Sequence, residues 1–175
     1  MTSPLNSGNA VYVGSFDPLT LGHLDIIERG SRIFERVTVG IGVNPDKQPL
    51  FDADDRVALC SAAISHLGNV EVRKFEGLAV EFVRQCESRI LLRGVRSLTD
   101  IDSEFTMSLA NRVLDPEIES VFLMSSERFS HVSSSLIKQI ARMASGDVAE
   151  RLRDFLPEVM IQPVLKRMQN YEEAG

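Results

Sequence analysis

The sequence predicts an α/β fold: a Rossmann-like, doubly wound parallel sheet of five strands with helices on both faces, built as one domain over residues 1–175. Three observations predict it. Short apolar, β-branched runs at 11–13, 37–43, 70–72, 90–92 and 121–124 alternate with segments of helical period, the pattern of strand–helix–strand units in a parallel sheet. The 175 residues are enough for one buried core, and no repeat, linker or low-complexity stretch divides them. Polar and basic residues follow directly on the apolar runs, which gathers them at the carboxyl edge of the sheet, where such folds bind ligands.

Taken in order, the first strand ends at Val13 and Gly14, and the chain turns through Ser15, Phe16 and the pair Asp17-Pro18. Thr20-x-Gly22-His23 then opens a helix in which Leu24, Ile27, Ser31 and Phe34 share a face. The second strand is followed by Asn44-Pro45-Asp46-Lys47. Asp52 reads as the N-cap of a helix whose stripe is Val57, Cys60, Ile64 and Leu67. After the third strand, Ala79 starts a helix carrying Phe82, Val83 and Cys86. The fourth strand leads into Arg93-Gly94-Val95-Arg96 and then a helix with Ile101, Phe105 and Leu109 on one face and Asp100, Glu104 and Asn111 on another. The fifth leads into Phe129, Ser130, His131, Val132, Ser133, Ser134 and Ser135, with a helix starting at Leu136-Ile137-Lys138. A C-terminal helical segment is expected from about residue 147, anchored by Leu152, Phe155, Leu156, Val164 and Leu165, with 170–175 frayed.

Composition excludes several classes of function. A formal net charge of −6 argues against general nucleic-acid binding, which needs a basic field. No apolar run approaches a membrane span, and the first residues lack the basic and apolar regions of a signal peptide, so the expected compartment is the cytoplasm. Cys60 and Cys86 lie on apolar stripes and read as core thiols. No Cys/His cluster has zinc-ligand spacing, and no metal ligand from the side chains is expected.

The remaining polar residues point to phosphate chemistry. His23 stands at the positive end of a helix beside a tight turn, where an anion is favoured. Lys47, Arg93 and Arg96 come from two loops at the same sheet edge and make a focused cationic site in an acidic chain. Such a pocket suits attack of one phosphate on another: the nucleophile is already an anion, so the needs are positioning and charge stabilisation rather than a base. No Ser-His-Asp arrangement is evident. The competing readings are a solvated loop lysine for Lys47, ion pairs with Asp100 and Asp102 for Arg93 and Arg96, and a helix cap for the serines.

The segments Gly14-Ser15-Phe16-Asp17-Pro18, Thr20-Leu21-Gly22-His23, Lys47-Gln48-Pro49-Leu50-Phe51, Leu92-Arg93-Gly94-Val95-Arg96, Glu119-Ser120-Val121-Phe122-Leu123-Met124 and Val132-Ser133-Ser134-Ser135 strongly resemble the bacterial phosphopantetheine adenylyltransferase family. The histidine motif alone marks the wider nucleotidyltransferase superfamily; the Arg-Gly-x-Arg and triple-serine motifs together point to this member. The resemblance implies transfer of the adenylyl group of ATP to 4′-phosphopantetheine by direct in-line attack without a covalent intermediate. The products would be dephospho-coenzyme A and pyrophosphate, in the penultimate step of coenzyme A synthesis. It implies Mg²⁺ held mainly by the phosphates. By the same resemblance, His23 would stabilise the transition state, and Lys47 and Arg93 would hold phosphates. Ser15, standing where the family usually has Thr, would bind phosphate. The ATP site would be lined by Ser15, Phe16, His23, Gly94, Val95, Arg96, Glu104, Phe129, Ser130, His131, Val132, Ser133, Ser134 and Ser135. Ala79 would touch the pantetheine arm. A homohexamer is implied as well. Ser103, Phe129 and Gln139 depart from residues common in the family. The alternatives are a related nucleotidyltransferase with another phosphorylated acceptor and a non-catalytic nucleotide-binding regulator.

Overall fold

The computed structural model describes residues 5–44, 48–143 and 148–173. The elements alternate as expected: β1 (Asn6–Gly14), α1 (Leu21–Ile33), β2 (Arg36–Gly42), α2 (Ala53–Ala63), β3 (Val70–Phe75), α3 (Ala79–Gln85), β4 (Ser88–Val95), α4 (Leu98–Leu114), β5 (Glu119–Met124), a 3₁₀ turn (Glu127–Phe129), α5 (Ser134–Met143), α6 (Val148–Leu152) and α7 (Glu158–Glu173). The five strands are parallel, in the order β3-β2-β1-β4-β5. The order reverses at β1, so its carboxyl end, flanked by β2 and β4, is the switch point where a crevice opens.

The alternation of β1 sorts its side chains between two cores. Ala10 and Tyr12 join Ile26, Ile27, Val39, Leu92 and Ile137 in the larger cluster, which also takes in Leu152, Leu156 and Met160 of the C-terminal helices. Val11 and Val13 join Phe82, Val83, Leu91 and Ile118 on the opposite face. Both faces are therefore covered, which is why these strands read as nearly continuous apolar runs. On the second face Phe82 lies so close to the sheet that a Cβ at Gly40 would stand 2.5 Å from its ring, and Phe75 stacks on Phe82 with centroids 4.4 Å apart.

Several elements differ from the sequence reading. β1 starts at Asn6, ahead of its apolar run, because polar residues pair through backbone: Asn6 N–H donates to Glu87 O, and Ser88 Oγ donates to Asn9 O at 2.7 Å. β4 runs to Val95, so Arg93 and Gly94 are strand residues and only Arg96 lies beyond. The buried stripe of α1 is Gly22, Ile26, Ile27 and Gly30, rotated from the expected face, with Phe34 serving as C-cap. α7 includes Pro163 and continues to Glu173, past the point where fraying is expected at 170. Cys60 is buried as expected, whereas Cys86 is half-buried with Arg73 Nη1 at 3.5 Å from its sulfur.

α4 is turned the other way from a simple core helix. Ile101, Phe105, Leu109 and Val113 are exposed, Phe105 at 59% and Val113 at 86%. Its polar face turns inward, with Asn111 buried at 8% exposure and Glu104 paired inside the crevice.

Candidate active site

At the carboxyl ends of β1 and β4 lies a cavity of about 340 Å³. Its wall combines the turn after β1 (Gly14, Ser15, Phe16), the start of α1 (Thr20, Gly22, His23), the end of β4 (Arg93, Gly94), Arg96 beyond it, and Val132, Ser133, Ser134 and Ser135 leading into α5. Most of the sequence-derived candidates therefore converge, as the switch-point rule requires.

The turn that presents His23 is tightly built. Phe16 takes a positive φ of 47°, which places its ring in the core, edge-on to Tyr12 and to the His23 imidazole at centroid distances of 5.3 and 5.1 Å. Asp17 is buried at 5% exposure, and its carboxylate accepts Leu50 N–H at 2.8 Å, Phe51 N–H at 2.9 Å and the Lys138 ammonium at 2.7 Å. Arg56, also buried, donates to Ser15 O at 2.8 Å and Gly42 O at 3.1 Å, locking the end of β2 to the same turn. Thr20 caps α1, accepting His23 N–H at Oγ1. Burial first, and Arg96 second, push the His23 pKa down to about 4, so the imidazole is neutral at physiological pH.

Of the first three amides of α1, that of Leu21 donates to Phe155 O and that of His23 to Thr20, while Gly22 N–H has no partner among the described residues. The helix end thus offers an anion less backbone than the sequence suggests.

Both arginines line the cavity and are ion-paired. Arg93 forms a two-bond fork with Glu104, each bond 2.5 Å, and donates through Nη1 to Val13 O at 3.1 Å. Arg96 Nε donates to Asp100 at 3.0 Å and Nη1 to Val132 O at 3.0 Å. Asp100 and Glu104 thus hold guanidinium groups in place, and Asp102 takes no part in either fork. Gly94 sits between them where a Cβ would lie 2.9 Å from Ile26 and 3.3 Å from the Tyr12 hydroxyl, so any side chain would crowd the cavity wall. Ser133 Oγ accepts Leu136 N–H at the head of α5, and Ser134 Oγ donates to Pro18 O, which ties α5 to the turn after β1 while both serines line the cavity.

Other candidates lie elsewhere. Phe129 is buried beside the cavity under Arg128, the Ser130 hydroxyl donates to Glu127 O, and His131 packs on Phe155 at 5.8 Å. Val95 is in the core, its carbonyl accepting Ser125 N–H. Ala79 starts α3 against the second core. Lys47 falls outside the described residues. Tyr12, Thr20, Asp17, Arg56 and Lys138 are the residues that motif reading alone does not assign.

The cytidylyltransferase-like family matches residues 11–140, which span this cavity. Curated relatives agree along most of the chain. Phosphopantetheine adenylyltransferase of Rhodopirellula baltica is 54% identical, covering 90% of this chain and 87% of that protein. The chain belongs to the phosphopantetheine adenylyltransferase family. The member from Thermosynechococcus vestitus is 56% identical over 78% of this chain and 82% of its own, and that from Clostridium botulinum is 46% identical over 90% and 96%. A nicotinic acid mononucleotide adenylyltransferase of Plasmodium falciparum superposes with a TM-score of 0.68 at 12% identity, covering 92% of this chain and 96% of that one, which confirms the nucleotidyltransferase fold. Within the phosphopantetheine adenylyltransferase family, then, this chain carries the histidine, both arginines and the three serines on one cavity.

Proposed function

We propose that this protein transfers the adenylyl group of ATP to 4′-phosphopantetheine, giving dephospho-coenzyme A and pyrophosphate. The observation that carries the reading is a neutral, half-buried His23 lining a cavity walled by Arg93, Arg96 and Ser133, Ser134 and Ser135. An oxygen of the acceptor phosphate attacks the α-phosphorus of ATP, a new P–O bond forms, and the bond to the β-phosphate breaks with its electron pair leaving on pyrophosphate. No proton must be abstracted, because the attacking phosphate is already ionised. His23 donates a hydrogen bond to the α-phosphate as negative charge builds there. Arg93 and Arg96, fixed by Glu104 and Asp100, hold phosphates without having to reorganise. Ser15, exposed and lining the cavity in the turn after β1, is assigned to phosphate binding on the family resemblance. Lys47 and Ala79 are assigned to the acceptor on the family resemblance.

Mg²⁺ fits as a group carried by the phosphates: the carboxylates lining the cavity, Asp100 and Glu104, are both engaged by arginines. When bound it neutralises phosphate charge. The exposed Ile101, Phe105, Leu109 and Val113 of α4, beside Phe122 and Met124 on edge strand β5, form an apolar surface of the kind that oligomers bury, which supports a homo-oligomer and, by family resemblance, a hexamer. Among the described residues no helix is long and apolar enough to cross a membrane. Two unbridged cysteines suit a reducing compartment such as the cytoplasm.

The test is pyrophosphate release by pure protein given Mg·ATP and one acceptor at a time. Turnover is expected with 4′-phosphopantetheine and not with pantetheine, which lacks the nucleophile. Turnover with nicotinamide mononucleotide instead would reassign the acceptor.

A further inference from the structure

We propose that Thr20 is a positioning residue that fixes which nitrogen of His23 faces the cavity, so that the imidazole works as a neutral Nε2–H donor. The catalytic consequence rests on the adenylyl-transfer reading; the tautomer does not. Thr20 is buried at 1% exposure and holds extended backbone at the head of α1. Its N–H lies 3.1 Å from His23 Nδ1, and an amide can only donate, so Nδ1 presents a lone pair. Its Oγ1 lies 3.1 Å from the same nitrogen while accepting His23 N–H at 3.2 Å, which turns the hydroxyl proton toward Nδ1. Two donors converge on Nδ1. A neutral imidazole has one proton, so it resides on Nε2.

The arrangement is a capping box in which histidine occupies the place usually filled by Glu or Gln. A proton on Nδ1 would face the Thr20 N–H directly, so protonation requires opening the cap. The surroundings reinforce this. The Phe16 ring packs edge-on, and Arg96 from the β4–α4 connection is the charge that weighs on the imidazole. Arg93, Asp100 and Glu104 share the cavity, both carboxylates being taken by arginines. His23 is thus held as a neutral Nε2–H donor from pH 5 to 8.

The chain has three histidines, so imidazole ¹⁵N NMR of labelled protein resolves them, and His23→Gln identifies the signal. The expected result is an Nε2–H pattern for His23 that does not change between pH 5 and 8. In Thr20→Val the backbone N–H still reaches Nδ1 but the hydroxyl donor is gone, so a share of Nδ1–H tautomer is expected to appear, with kcat down about tenfold, less than loss of the donor itself, and KM for ATP little changed. Thr20→Ser is expected to restore both. An Nδ1–H pattern or titration near pH 6.5 in the wild type overturns the proposal, as does Thr20→Val with unchanged tautomer and kcat. Should Thr20→Val not fold, the wild-type spectrum and Thr20→Ser decide. An Nε2–H wild type that releases no pyrophosphate overturns the transfer reading and leaves the tautomer standing.

Discussion

Removing the His23 imidazole separates binding from chemistry. If the group acts on charge that develops only during transfer, His23→Ala lowers kcat about a hundredfold, roughly 3 kcal/mol, and leaves KM for ATP nearly unchanged. Steady-state kinetics on both substrates check this; a loss confined to KM would make His23 a binding residue. The same histidine leaves a mark on stability. The unfolded chain takes up the proton near pH 6.5, the folded one only near 4. Between these values the unfolded state holds more protons, so stability rises with pH. The contribution of neutral His23 is complete above 6.5 and lost as the pH falls toward 4. His23→Gln should flatten that acid limb in denaturant titrations run at pH 4.5 and 7. At this scale the sequence is legible where a residue type and its neighbours carry the chemistry, as in Thr20-x-Gly22-His23. It is silent where partners are distant. Asp17 reads as a turn residue beside Pro18, and nothing local announces that Leu50, Phe51 and Lys138 all converge on it.

Among elements, the connection between β2 and α2 and the start of α5 share that one buried carboxylate. Asp17→Asn removes a charge from under Lys138 and leaves one backbone N–H facing an amide. It should cost about 3 kcal/mol of stability, since it breaks a buried pair on one side. A thermal shift of a degree or less would show that the node is dispensable. α4 carries the opposite kind of exposure. Phe105→Glu places a charge in its outward apolar face and should reduce the particle size in sedimentation while leaving far-UV circular dichroism unchanged. A size equal to wild type would remove that face from the assembly. The five parallel strands and their alternation with helices were readable because both sheet faces are covered and each run is apolar. The orientation of α4 was not, because a stripe of Ile101, Phe105 and Leu109 has the same period whether it meets the sheet or another molecule. Asp100 and Glu104 share the polar stripe, and Arg93 at the end of β4 and Arg96 just beyond it stand opposite them.

For the molecule as a whole, the cavity exists only because chain segments far apart in sequence meet at one end of a parallel sheet. The fold class and the edge bearing the site follow from alternation and from the switch-point rule. The ends of β1 and β4 do not, because polar residues there are held by backbone pairing that leaves no apolar signature. The first strand is also the middle one, and all five point the same way. Asn6, where β1 begins, is therefore at the opposite edge of the sheet from Gly14, where the cavity opens. A linker joined ahead of Asn6 leaves from the far pole. Protein tethered to a bead by that edge of the sheet should present its open cavity to solution and keep the turnover it has when dissolved.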